Sequence, residues 1–216
     1  MHRILLFIAL CLSLSLADAR ERPPFAQTAD EVSPLLIGQQ VPTITLYNPD
    51  GAPVSLRALL LEQPAVVVFY RGGWCPYCNR QLADLKSIEP QLQALGYQIL
   101  AISPETPARL REQKMATTFA AQLYSDQRLN ALRGFGIGFY LDPQTTQRYE
   151  QEYQIPLTYD PDGKRPVLPA PAVYIVDQQG RVLFNYVNPN FKVRLSAELL
   201  LEAARLSDGK PIPMPQ

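Results

Sequence analysis

Apolar positions change their period along this chain, and each change marks an element. Thr43 to Leu46 alternate polar with apolar ahead of the turn-forming run Asn48-Pro49-Asp50-Gly51. "VPTITLYNPDGAPVSLRALL" therefore predicts a hairpin leading into a short helix. "PAVVVFY", residues 64–70, shows no alternation, and its continuous β-branched and aromatic content predicts a buried strand. From Leu82 the period is helical: Leu82, Leu85, Ile88, Leu92 and Leu95 recur at steps of three and four, and Gly96 ends the run. "YQILAIS" (97–103) predicts the next buried strand. "PETPARLREQKMAT" predicts a helix opened by prolines, and "AAQLYSD" a third strand with a short helix around Arg128 to Arg133 after it.

Residues 134–168 break this regularity. They are rich in Tyr, Gly and Pro, and so long a stretch inside a compact domain reads as a functional loop or inserted excursion. Gly134, Gly136 and Gly138 make no dinucleotide fingerprint, because Phe139 stands where the last glycine belongs. "AVYIVDQQGRVLFNYV" then predicts two strands joined at Gln178-Gln179-Gly180. A last helix runs from an N-cap at Ser196 to Leu206, with Leu199, Leu200, Ala203 and Leu206 on its apolar face. No repeat and no linker divides the chain. The reading is one α/β domain with a central mixed sheet over residues 37–207, between a flexible lead-in (20–36) and a flexible tail (208–216).

Composition narrows the function classes. At 216 residues the chain can bury a substantial core, and 20 basic against 20 acidic residues give no basic footprint for nucleic acid. The first nineteen residues follow other rules: Met1, His2 and Arg3 precede the apolar run "ILLFIALCLSLSL", and "ADA" ends at Ala19. This is the pattern of a cleavable secretory signal, too short to span a bilayer comfortably, so the expectation is a periplasmic or secreted protein with no stable membrane insertion after cleavage. Removing it takes away Cys11 and His2, leaving Cys75 and Cys78 as the cysteines and no histidine.

The chemistry therefore concentrates in "GGWCPYC". Cys75 lies at a strand-to-helix junction, and Pro76 occupies a first helical position where its missing N–H costs nothing. The helix N-terminus favours a Cys75 thiolate, and Arg71 and Arg80 are near enough in sequence to add positive potential. Cys78, almost one turn on, is placed to attack an oxidised Cys75, so the reading is an exposed attacker followed by a covered resolver. A tetrahedral metal site lacks ligands, and c-type haem attachment needs a histidine where Asn79 stands. An inert staple closing so small a loop constrains the unfolded chain little. Tyr70 and Tyr77 read as packing or rim residues, and Glu105 as a charge near a helix N-terminus.

The strand "AVVVFY", then "GGWCPYC", then a long amphipathic helix resembles the active-site unit of the thioredoxin superfamily. "LPAPAVYIVDQQGRVLF" continues the likeness and implies that Pro171, ahead of Pro169, is the cis-proline facing the dithiol. Within the superfamily "GQQVPTITLYNPDGAPVSL", "YRGGWCPYCNRQL", "ILAISPET" and "VNPNFKVRLS" resemble the peroxiredoxin-like branch, the alkyl hydroperoxide reductase and thiol-specific antioxidant relatives. The resemblance covers roughly residues 37–206 and implies a thioredoxin-like fold with no metal or organic cofactor. It also implies a thiol reductant, thioredoxin-like or small, as partner.

Three positions depart from that family's pattern. Val68 and Gly72 stand where such peroxidases carry a proline and a threonine or serine, and Pro171 stands where they carry an arginine. Arg71, or Arg194 folding back from "KVRL", is the candidate replacement. The chain reads as a thiol-dependent peroxidase on resemblance and as a protein-disulfide exchange enzyme on its residues alone. The alternative of another class is a binding domain with a permanent Cys75–Cys78 disulfide.

Overall fold

A computed structural model describes residues 25–116 and 121–207; the segments read as signal and C-terminal tail lie outside the described residues. The predicted hairpin is β1 (Thr45–Tyr47) and β2 (Pro53–Ser55), paired antiparallel. The Asn48 side chain closes its turn by accepting from the N–H groups of Asp50 and Ala52. Ser55 then caps α1 (Leu56–Glu62) through the Ala58 N–H.

The centre is built by β3 (Ala65–Phe69), α2 (Pro76–Ala94), β4 (Gln98–Ser103), α3 (Pro107–Ala116) and β5 (Gln122–Ser125). After α4 (Asn130–Gly134) come β6 (Gly138–Tyr140), α5 (Pro143–Gln147) and β7 (Val167–Pro169). The chain closes with β8 (Ala172–Val176), β9 (Val182–Val187) and α6 (Ala197–Leu206). The main sheet has the order β2-β1-β5-β4-β3-β8-β9. β4 runs parallel to β3 and β5, whereas β8 is antiparallel to β3 and β9, so the sheet is mixed as the sequence predicts.

Every residue of β3 is buried, which explains its unbroken apolar run. Ala65, Val67 and Phe69 face a core shared with α1, α4 and the rings of Phe135 and Tyr174. Val66, Val68 and Tyr70 face the other way, onto Leu82, Leu85, Ile88 and Leu92 of α2 and Leu200 and Ala204 of α6. α2 thus lies across the sheet with its N-terminus at the carboxyl end of β3, where open α/β sheets place their ligands.

Two expectations need correction. Residues 25–36 of the supposed flexible lead-in pack against the domain: Phe25 and Leu35 are buried, and Ala26 exchanges backbone hydrogen bonds with Gly138 and Tyr140. The polar composition of that segment concealed two apolar anchors. The 134–168 excursion is also more ordered than its composition suggests. It holds β6 and β7, which pair as a two-stranded antiparallel sheet, and one turn of π-helix at Arg148–Glu152.

Candidate active site

The chain leaves β3 at Phe69, passes through Tyr70, Arg71, Gly72, Gly73 and Trp74, and enters α2 with Cys75 as N-cap and Pro76 as the first helical residue. The junction is tied from three sides. Cys75 N–H donates to the Gly72 carbonyl at 3.1 Å, the Gly73 N–H donates to Glu105 Oε2 at 2.7 Å, and the Asn79 amide donates to the Gly73 carbonyl at 2.7 Å. Gly72 has φ +148, and a Cβ built there would lie 2.4 Å from Trp74 Nε1 and 2.9 Å from Glu105 Cδ. Backbone and neighbours together demand glycine at this position.

Cys75 and Cys78 are both free thiols and both buried, at 1% and 0% exposure. The exposed attacker expected from the sequence is therefore corrected, because the helix start sits under the segment between β6 and β7, which brings Tyr149 and Tyr153, and under the loop after β9, which brings Phe191. The two sulfurs are distinguished by charge and by access. A hydrogen bond from the Cys78 thiol is the largest influence on Cys75; burial opposes it, and the Cys78 N–H, Arg71 and Arg194 reinforce it, pulling the Cys75 thiol down to about 6. Burial, and the hydrogen bond to Cys75, push the Cys78 thiol up. Cys75 is the thiolate and Cys78 the proton holder.

Cys75 also borders a cavity of about 280 Å³, together with Arg71, Trp74, Tyr77, Tyr149, Tyr153 and Phe191. Arg71 is 3% exposed in its wall. Its guanidinium carbon lies 4.3 Å from the Phe191 ring centre, 5.1 Å from Trp74 and 5.4 Å from Tyr149, and Nη2 donates to the Tyr149 hydroxyl at 2.8 Å. No carboxylate pairs with it among the described residues. Taking a cation out of water costs several kcal/mol, whereas each ring contact returns about 0.5–2 kcal/mol. The balance favours an anion nearby, and the Cys75 thiolate supplies one.

Arg194 does fold back, as the sequence suggested, but onto the second cysteine. Nη2 lies 3.4 Å from Cys78 Sγ, Nη1 donates to Gln81 Oε1 at 3.1 Å, and Nε donates to the Phe191 carbonyl at 2.9 Å. The Arg71 backbone N–H reaches the same sulfur at 3.4 Å.

Other sequence readings meet different outcomes. Arg80 points to solvent and pairs with Asp84, one turn along the helix, so it adds nothing to the cysteines. Pro171 is opposite the carboxyl end of β3, as the register Phe69↔Ala172 requires, but no cis peptide bond occurs among the described residues. The cis-proline expectation is corrected for Pro171 and Pro169 alike. Pro169 belongs to β7, the Pro171 carbonyl accepts from Asn188 N–H beside the β8–β9 ladder, and a trans link joins β7 to β8. Tyr70 is a fully buried packing residue whose hydroxyl donates to Gln113 Oε1, and Tyr77 is a rim residue packed on Phe191. Glu105 is more than a helix-end charge: it is 7% exposed, holds Gly73, and its carboxyl is pushed up by burial. Tyr149 and Phe191 are the site residues that pattern reasoning missed. The only signal for Tyr149 was the tyrosine-rich excursion, and nothing local marks Phe191.

Comparisons with known proteins agree with this layout. Residues 37–184 match the model of the AhpC/TSA family. The prostamide/prostaglandin F synthase of Salmo salar is 31% identical over 100 residues, covering 46% of this chain and 50% of that protein. Peroxiredoxin bcp1 of Schizosaccharomyces pombe is 27% identical over 104 residues, covering 48% and 53%. The chain thus spans about half the length of these two curated relatives. Among solved structures, peroxidoxin BcpB from Mycobacterium tuberculosis superposes with a TM-score of 0.61 at 18% identity, covering 78% of this chain and 96% of that one. That likeness shows the fold, the thioredoxin-like arrangement of a mixed sheet between helices.

Proposed function

The chain belongs to the AhpC/TSA family, and from that membership we propose that it is a thiol peroxidase in which Cys75 attacks a peroxide and Cys78 resolves the product. The observation that carries the reading is a buried thiolate at a helix N-terminus, bordering a cavity whose wall holds an arginine with no carboxylate partner among the described residues. In the first step the Cys75 thiolate attacks one oxygen of R–O–O–H: an S–O bond forms, the O–O bond breaks, and with one proton from solvent the products are Cys75–SOH and R–OH. In the second step the Cys78 sulfur displaces that hydroxyl, which leaves as water with the Cys78 proton, giving the Cys75–Cys78 disulfide. A thiol reductant, thioredoxin-like or small, then returns two electrons.

The glycine at position 72 favours a second reading. With no hydroxyl there to assist a leaving oxygen, the same thiolate is suited to attack a protein disulfide, whose leaving thiolate needs less help. Trp74 is the only tryptophan, lies beside Cys75 and reports both reactions. Stopped-flow mixing of reduced protein with hydrogen peroxide, and separately with a disulfide substrate, separates them: the peroxidase reading requires fast quenching or enhancement with the peroxide.

Export is part of the proposal, supported by the basic start, apolar run and "ADA" boundary of residues 1–19. Its test is the N-terminus of the protein recovered from a periplasmic or culture fraction, expected at Arg20. An intact Met1 in a cytosolic fraction would refute it.

A further inference from the structure

We propose that Arg71 and Tyr149 together form the peroxide-binding site of this chain, with the Tyr149 hydroxyl supplying the hydrogen bond to the leaving oxygen that no side chain at position 72 can supply. The proposal rests on the peroxidase reading above and adds to it a catalytic residue from the 134–168 excursion.

The first observation is the steric one: a threonine or serine at position 72 would collide with Trp74 and Glu105, so the hydroxyl must come from elsewhere. The second is an orphan donor. Arg71 is 3% exposed and spends Nη2 on Tyr149, while its Nε–H is buried with no hydrogen-bond partner among the described residues. A buried donor is expensive to leave unpaired, and Arg71 and Cys75 border the same cavity. The guanidinium thus stands in the cavity wall as a cation with no carboxylate partner among the described residues, and an oxygen ligand beside Cys75 meets that charge.

The third observation concerns the direction of the Tyr149 proton. Its oxygen accepts from Arg71, so its own O–H is left to donate. A phenol bonded to a guanidinium is polarised toward donation, which strengthens the second bond. The ring is held by an edge contact to Trp74, with centroids 5.4 Å apart, and the π-helical turn at Arg148–Glu152 carries it over the cavity. Single π turns inside helices recur at functional sites.

The step then runs as follows. The peroxide lies against the Arg71 guanidinium at one oxygen and takes the O–H of Tyr149 at the other. The Cys75 thiolate attacks the first oxygen and becomes the sulfenic acid, losing two electrons to the O–O bond as it breaks. The departing R–O⁻ takes the Tyr149 proton, and solvent reprotonates the phenol.

The test is Tyr149→Phe, which keeps the ring and its packing. Cys75 alkylation by iodoacetamide is the control, because iodide leaves without a proton. The expected result is a loss of about 100-fold in the peroxide oxidation rate, the size seen when one donor to a developing oxyanion is removed, with the alkylation rate unchanged. A variant oxidised by peroxide as fast as wild type would overturn the proposal and leave the peroxidase reading standing. Equal losses in both reactions would overturn it as well, since they would mark a structural effect on the thiolate. A wild-type protein that peroxide does not oxidise would overturn both.

Discussion

Arg71 Nη2 donates to the hydroxyl of Tyr149 at 2.8 Å, across 78 residues of sequence. Through this bond the excursion between β6 and β7 becomes a wall of the site. Cys75 is buried beside a cavity lined by aromatic rings, two of which, Tyr149 and Tyr153, come from this excursion. Burial alone would suppress the thiolate, so the hydrogen bond from Cys78 and the two arginines must outweigh it.

That ordering of causes is testable. Cys75 alkylation is expected to rise with pH through a midpoint near 6. Cys78→Ala removes the largest contribution and should raise the midpoint more than Arg71→Gln does. The sign for stability follows from the same depression. The thiolate favours the folded chain above the unfolded thiol value of about 8.5, and that contribution is lost as pH falls through the folded value. The stability gap between the reduced protein and Cys75→Ser, read from urea midpoints, should therefore shrink toward acid. A midpoint near the ordinary thiol value would contradict the account.

Restoring the family's hydroxyl at position 72 should damage this protein. Gly72→Thr places a branched side chain at φ +148 with a Cβ 2.4 Å from Trp74 Nε1. A loss of at least about 2 kcal/mol in unfolding free energy is expected, together with a shifted Trp74 emission. A variant as stable as wild type, with an unchanged rate of peroxide oxidation, would show that the loop accommodates the residue.

The contrast between Cys75 and Gly72 shows what was legible in the sequence. β3, α2 and β4 came through because their burial is periodic or continuous, and Cys75 because helix starts carry local signals. Arg71 and Arg194 were nameable by charge, yet only the fold could assign Arg194 to Cys78 instead of the peroxide. Tyr149 and Phe191 reach the site by tertiary folding of loops, which leaves no period to read. Burial of Cys75 was missed for the same reason: its cover comes from segments more than 70 residues away.

Arg194 should act on the second step more than on the first. Its Nη2 lies 3.4 Å from Cys78 Sγ, and its charge opposes the burial that keeps that thiol protonated. Arg194→Gln is expected to slow disulfide formation by about tenfold, one decade in thiolate fraction, while sulfenic acid formation at Cys75, where Arg194 is the smallest of the stabilising influences, slows by less. Two-phase Trp74 fluorescence resolves the steps. An effect confined to the first phase would place Arg194 with the peroxide instead.

The central claim is that peroxide oxidises Cys75 and Cys78 resolves it. Mass spectrometry after one equivalent of hydrogen peroxide tests this directly. The account predicts that wild-type protein loses two hydrogens as a Cys75–Cys78 disulfide forms, whereas Cys78→Ala gains one oxygen, on Cys75, in a form that dimedone captures. Unchanged masses for both proteins, with fast oxidation by a disulfide substrate, would contradict it.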